Sequence, residues 1–108
     1  MAKFIETYRL VTFVPPDHVE SLAEALSAQI PRFLGHYDHV AWWSESGTEQ
    51  FRPVDGEIER GVSVRLEFTL PQDETLLQTL IEEYLIPNHP WEEPVVLVFD
   101  HRIYDHEK

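Results

Sequence analysis

Six histidines in a chain without cysteine are the first residues to suggest chemistry. The missing thiols exclude a disulfide framework, a thiolate nucleophile and a sulfur-ligated metal. His36 and His39 stand three apart, and His89 is followed closely by Glu92 and Glu93. Imidazole nitrogens joined by carboxylate oxygens suit zinc or copper. His36, His39, His89 and Glu92 are therefore the candidate ligands for a divalent metal ion. Their spacing matches no strict metal motif, and each has a plain structural reading. His36 and His39 can be surface turn residues, and His89 can cap the carbonyls at a helix end. Asp38 beside either histidine could be posed as an acid–base pair, but such local pairs usually mark hydrogen-bonded turns. No residue is assigned a catalytic role, and no enzyme is expected.

Two aromatic groups invite the same weighing. Trp42 and Trp43 are adjacent on a strand pattern, so their rings must point to opposite faces. One ring is expected in the core and the other at an interface or on a binding platform. In Pro90-Trp91-Glu92-Glu93-Pro94 the two prolines fix the backbone leading into a strand, and Trp91 is expected to lie over a neighbouring subunit.

The elements that must position these residues follow from the period of the apolar side chains. Residues 8–14 are β-formers closed by Pro15 and Pro16. Asp17 then reads as an N-cap with Glu20 at capping-box spacing. Val19, Leu22, Ala23, Leu26 and Ile30 form one helical stripe, which Pro31 closes. Gly35 opens a turn into a second strand over 39–44, and residues 45–59 read as a loop or irregular hairpin connection. Residues 62–70 alternate best, with Val62, Val64, Leu66, Phe68 and Leu70 on one face and Ser63, Arg65, Glu67 and Thr69 on the other. A second helix starts at Pro71, carries Asp73 and Glu74 in its first turn, buries Leu77, Leu80, Ile81, Tyr84 and Leu85, and ends at Pro87. A last strand over 95–100 runs out into a charged tail.

The order β-α-β-β-α-β is the split βαβ, ferredoxin-like arrangement: an α+β fold with a four-stranded antiparallel sheet and two helices on one face. One domain over residues 1–108 is expected. Strands two and four are both fed by helix C-termini and are expected at one end of the sheet. His36, His39 and His89 could then converge within a subunit or across an interface.

The last strand falls at a sheet edge, yet Val95, Val96, Leu97, Val98 and Phe99 are apolar on both faces. Unblunted apolar edges invite association. Val11 and Phe13 on the helix-free face also need cover, while Arg65 and Glu67 make that face mixed. Self-association through this face is expected.

Eight basic residues against 20 acidic ones give a net charge of −12. That field disfavours nucleic acid and anionic membrane surfaces as partners. Neither a signal peptide at Met1-Ala2-Lys3-Phe4-Ile5-Glu6 nor a bilayer-spanning stretch is read, so a cytosolic protein is expected.

At His89-Pro90-Trp91-Glu92-Glu93-Pro94 the chain resembles the His-Pro-Tyr-Glu-Glu-Pro motif of the PII/CutA-like domain of the Nif-three-like family. The strand Tyr-Arg-Leu-Val-Thr-Phe-Val-Pro from Tyr8 looks like that domain's first strand. Gly35-His36-Tyr37-Asp38 looks like its Gly-x-Tyr-Asp turn, Gly47 with Phe51-Arg52-Pro53 like its Gly-x-Gly-x-Phe-Arg-Pro loop, and Glu57-Ile58-Glu59-Arg60 like the lead-in to its third strand. Glu49 replaces the loop's second glycine, and the Asn-Pro-x-Ile-Gly segment after Phe-Arg-Pro is missing. The resemblance implies a PII/CutA-like fold in its free-standing form, a homotrimer (with a dimer as the other option), and a binding or regulatory module. Its ligand would be a small molecule, a metal ion or another protein. The metal ligands of the family's dinuclear domain have no counterpart in this chain.

Overall fold

The computed structural model describes residues 3–106. Met1, Ala2 and the last two residues, all part of the sequence read above, lie outside that range. Strand β1 (Phe4–Val14) leads through a 3-10 turn (Pro16–His18) into helix α1 (Val19–Ser27). A long loop then reaches β2 (Trp42–Trp43), β3 (Gly47–Phe51) and β4 (Glu59–Pro71). A helical run over 74–88 follows: α2 (Glu74–Thr79), a π-helical stretch (Leu80–Leu85) and α3 (Ile86–Asn88). Strand β5 (Val96–Tyr104) completes the fold.

The sheet is antiparallel, in the order β2-β4-β1-β5, with β3 also pairing with β4. This is the split βαβ order, with the expected loop over 45–59 folded as a hairpin arm. Trp42 and Trp43 pair with Glu67 and Leu66, and Gly47 to Phe51 pair with Ser63 to Glu59. The two short strands are thus one interrupted partner of the 13-residue β4. The arm stretches the molecule to 55 × 25 × 20 Å.

Alternation decides the faces. Tyr8, Leu10 and Val14 of β1 and Val64, Leu66, Phe68 and Leu70 of β4 pack with Val19, Leu22, Ala23 and Leu26 of α1 and with Leu80 and Leu85. Val62 lies on the same side of β4 but in the arm, where it is exposed. The opposite face is free of helices, and there Val11 is fully buried by its own sheet neighbours. Val11 therefore needs no partner, contrary to the expectation.

Four local expectations change. Asp17 does not cap α1: no side-chain capping bond is made, and Asp17 Oδ1 instead faces His18 Nδ1 at 3.1 Å. Pro71 belongs to β4, and Asp73 is the true N-cap of α2, accepting from the Leu76 N–H at 3.1 Å. The helical run continues past Pro87 to Asn88. Proline has no N–H to donate and would clash with the preceding turn of an α-helix. The ladder adapts by widening before it, with the Ile86 N–H bonded to the Ile81 carbonyl five residues back. Finally, the strand expected to end at Asp100 runs on into the expected charged tail: His101 to Tyr104 pair with Thr7 to Phe4.

Candidate functional site

Strand directions place the histidines. Strand β1 runs from the Phe4 end of the sheet to the Val14 end, and β4 and β5 run against it. Helix α1 begins where β1 stops, so it returns toward the Phe4 end and feeds β2 there. The second helical run begins after Pro71, which pairs with Thr7, and so finishes at the Val14 end. The starts of β2 and β5 therefore lie at opposite ends of the sheet. The expectation of one shared end is corrected by this: consecutive helices on antiparallel strands are themselves antiparallel. His36 and His39 go to one end, and His89 with Glu92 to the other.

His89 is buried and doubly engaged. Its Nε2 lies 2.7 Å from the Phe13 carbonyl, and its Nδ1 accepts the Trp91 N–H at 3.1 Å. Because the carbonyl can only accept, Nε2 carries the proton and Nδ1 the lone pair. The Trp91 ring is tilted beside it at 5.1 Å. Burial lowers the His89 pKa, opposed by the bond to Phe13 and aided by His18. The cap on the helix end comes from Asn88 instead, whose Nδ2 donates to the Tyr84 carbonyl at 2.7 Å. Thr12 completes the latch by donating to the Val95 carbonyl at 2.7 Å.

His36 and His39 are exposed. His39 Nδ1 lies 2.9 Å from Asp38 Oδ1, and its backbone is left-handed, with φ of 54°. Gly35, at φ of 57°, makes the preceding turn, as its position predicts. Among the described residues no group of three or more His, Asp or Glu side chains is placed to hold a metal ion. Glu92 is exposed at the far end from His36 and His39.

What loop 31–41 does build is a pocket. It is a half-open cavity of about 410 Å³ against the β2 edge, lined by Phe33, Leu34, Tyr37, Val40, Trp42 and Ile103. Its polar lining is Arg9, Glu67 and Thr69 from the sheet, with Asp38 and His39 from the loop. Arg9 Nε donates to Glu67 at 2.8 Å, Arg9 Nη1 to Thr69 at 2.6 Å, and Arg65 Nε to the other Glu67 oxygen at 2.7 Å. Burial pushes the Glu67 carboxyl up, but the two arginines outweigh it and hold its pKa below the ordinary value. The triad was invisible in the sequence, although Arg65 and Glu67 were placed on the right face. Arg9 joins them through register, since it pairs with Thr69.

Neither tryptophan ring is core. Trp42, on the triad's face, is 51% exposed and Trp43, on the helix side, 42%. Their strand is the sheet's outer one, and α1 stops at Ser27 before covering it. At the opposite edge Leu97 and Phe99 on the helix-free face and Val98 on the other are exposed.

This topology defines the class: an α+β domain of the CutA/PII-like, ferredoxin-like kind. No protein-family model matches the chain. A GTP cyclohydrolase 1 type 2 homolog of Halalkalibacterium halodurans is 32% identical over 96 residues, covering 81% of this chain and 25% of the relative. The chain thus spans about a quarter of the length of the curated relatives it matches. The Bacillus cereus protein related to NIF3 superposes with a TM-score of 0.78 at 31% identity, over 93% of this chain and 27% of that one. CutA from Synechococcus elongatus gives a TM-score of 0.67 at 20% identity, over 91% and 81%; at that identity only the fold is shared. The chain is a CutA/NIF3-like small domain.

Proposed function

We propose that the chain acts as a homo-oligomeric PII/CutA-like binding or regulatory module, not as an enzyme. One observation carries this: the half of β5 over 96–99 is an open sheet edge that exposes Leu97, Val98 and Phe99 with no charge or proline to blunt it. Burying such side chains against a second copy is favourable at about 25 cal/mol per Å² of apolar surface. The helix-free face beside it is mixed, as the Arg9–Glu67–Arg65 triad requires. Three copies are the number that the resemblance to PII/CutA-like domains implies. Sedimentation velocity at micromolar concentration tests the reading. A species of three times the 12.7 kDa chain mass is expected, and Leu97→Glu combined with Phe99→Glu should return it to one. A wild-type chain sedimenting only at 12.7 kDa sinks the proposal.

A second reading, a divalent-metal protein using His36, His39, His89 and Glu92 with zinc or copper, draws on fold neighbours named for divalent cation tolerance. It is the weaker one. Both ring nitrogens of His89 are already committed to the backbone, and the other ligands lie at opposite sheet ends. Only contacts between copies could assemble them. Unchanged tryptophan fluorescence at micromolar zinc or copper would remove it.

A further inference from the structure

We infer that the pocket between loop 31–41 and the β2 edge takes a small ligand with a flat aromatic body and a single carboxylate. The inference rests on the binding-module reading above and names its ligand class. Two features of the pocket select that chemistry. Its walls are largely apolar, with the aromatic residues Phe33, Tyr37 and Trp42 in the lining of a volume of about 410 Å³, within the range of small-molecule sites. Offset or edge-on stacking against such rings adds to apolar burial and favours a flat guest. Within the loop that supplies Phe33 and Tyr37, Phe33 and Leu34 are half-buried while Tyr37 and Val40 are exposed. Tyr37 in particular is 78% exposed in the free chain.

The polar side carries the charge preference. Two guanidiniums share one carboxylate, so Arg9, Arg65 and Glu67 together hold one net positive charge in a chain of net charge −12. Arg9 uses Nε on Glu67 and Nη1 on Thr69, and its Nη2 has no acceptor among the described residues. Arg9 lines the cavity, so it brings an uncommitted charge-assisted donor to the site, and a carboxylate is the natural partner of such a donor. Arg65 stands behind Glu67, outside the lining itself; the other ionisable lining residues, Asp38 and His39, are solvent-exposed and face each other at 2.9 Å. An uncharged aromatic would leave the Arg9 donor unused. A dianion would meet Glu67 and Asp38 with only one compensating charge.

The test uses the full chain and defined probes. The fluorescent aromatic anion 1-anilinonaphthalene-8-sulfonate reports occupancy, and indole-3-acetate and indole-3-acetamide compete for it at fixed ionic strength. The acid should displace the dye at a concentration at least about tenfold lower than the amide, the ratio one charge-assisted hydrogen bond supplies. Arg9→Gln should erase that preference while leaving Glu67 paired with Arg65. Val40→Trp, at an exposed lining position, should fill the cavity and block both competitors. Amide chemical shifts on adding indole-3-acetate should cluster at Tyr37, Val40 and Trp42. Equal affinity for acid and amide, a preference that survives Arg9→Gln, shifts clustered on β5, or no saturable displacement up to millimolar acid each overturns the inference. Sedimentation of the same samples separates the two readings. An oligomer that ignores the acid defeats this one alone. A 12.7 kDa species that binds it defeats only the association.

Discussion

Each helix of this fold ends in a histidine-bearing connection to an edge strand, and the two connections have opposite fates. The one after α1, over 28–41, is long and exposed. It turns through left-handed backbone at Gly35 and His39 and leaves its histidines in solvent. The one after the second helical run, over 89–95, is short and locked, with His89 buried against the end of β1. Residue type does not separate them. What separates them is reach: the short connection passes directly over an open backbone carbonyl at Phe13, whereas the long one wraps the sheet edge and encloses a cavity. The same side chain is therefore a structural latch in one place and a surface group in the other.

The sharpest way to break that contrast is His89→Ala. It leaves the Phe13 carbonyl and the Trp91 N–H unpaired in a buried site and opens a void, at a cost of about 2–4 kcal/mol. Urea unfolding should show it as a lower midpoint at unchanged slope. His36→Ala, or His39→Asn, which tolerates left-handed backbone, should stay within about 0.5 kcal/mol of wild type. A loss at either loop position as large as that at His89 would erase the distinction.

Acid should separate the two regions next. The folded pKa of His89 lies below its ordinary 6.5 because burial disfavours the imidazolium. Between that folded value and 6.5 the unfolded chain binds more protons than the folded one, so stability must fall as pH drops through this window. It is fully present above about pH 6.5, the ordinary histidine value. The depressed Glu67 carboxyl adds a further loss only below its ordinary 4.5. Melting temperature should decline from neutrality into the acid range in the wild type, and the part above pH 4.5 should be reduced in His89→Gln. The His36 and His39 variants should retain it. A His89→Gln profile identical to wild type would show that the latch does not titrate.

The smallest effect sharpens the latch itself. Thr12→Val keeps the shape and removes the hydroxyl bond to the Val95 carbonyl, and should cost about 1 kcal/mol. Hydrogen exchange should then quicken at the β5 start and not at β2. Faster exchange at both edges would mean that the two connections are coupled.

Much of the architecture could be read from residue pattern. Alternation in β1 and β4 assigned Leu10, Val14, Leu66 and Phe68 to the core, because a period of two leaves one face to bury. The i, i+3, i+4 stripe of Val19, Leu22, Ala23 and Leu26 did the same for α1. The unblunted run from Val96 to Phe99 announced an open edge. Local chemistry misled where two uses compete: Asp17 has the type and spacing of a cap but does not cap, and Pro87 looks like a stop but is passed by a widened helical turn.

The candidate site was far less legible. His36, His39, His89 and Glu92 could be picked out by type, but whether they meet depends on strand direction, which no local spacing encodes. Arg9 and Glu67 lie 58 residues apart and are joined only by the register of β1 on β4. The sequence by itself determined which faces are apolar and where the β5 edge lies open, because those depend on side-chain period and backbone chemistry close along the chain. Only the tertiary structure decided that one histidine is a latch, that two arginines share one carboxylate, and that a loop closes over a cavity. Those outcomes depend on long-range pairing, which sets what each side chain finds within hydrogen-bonding distance.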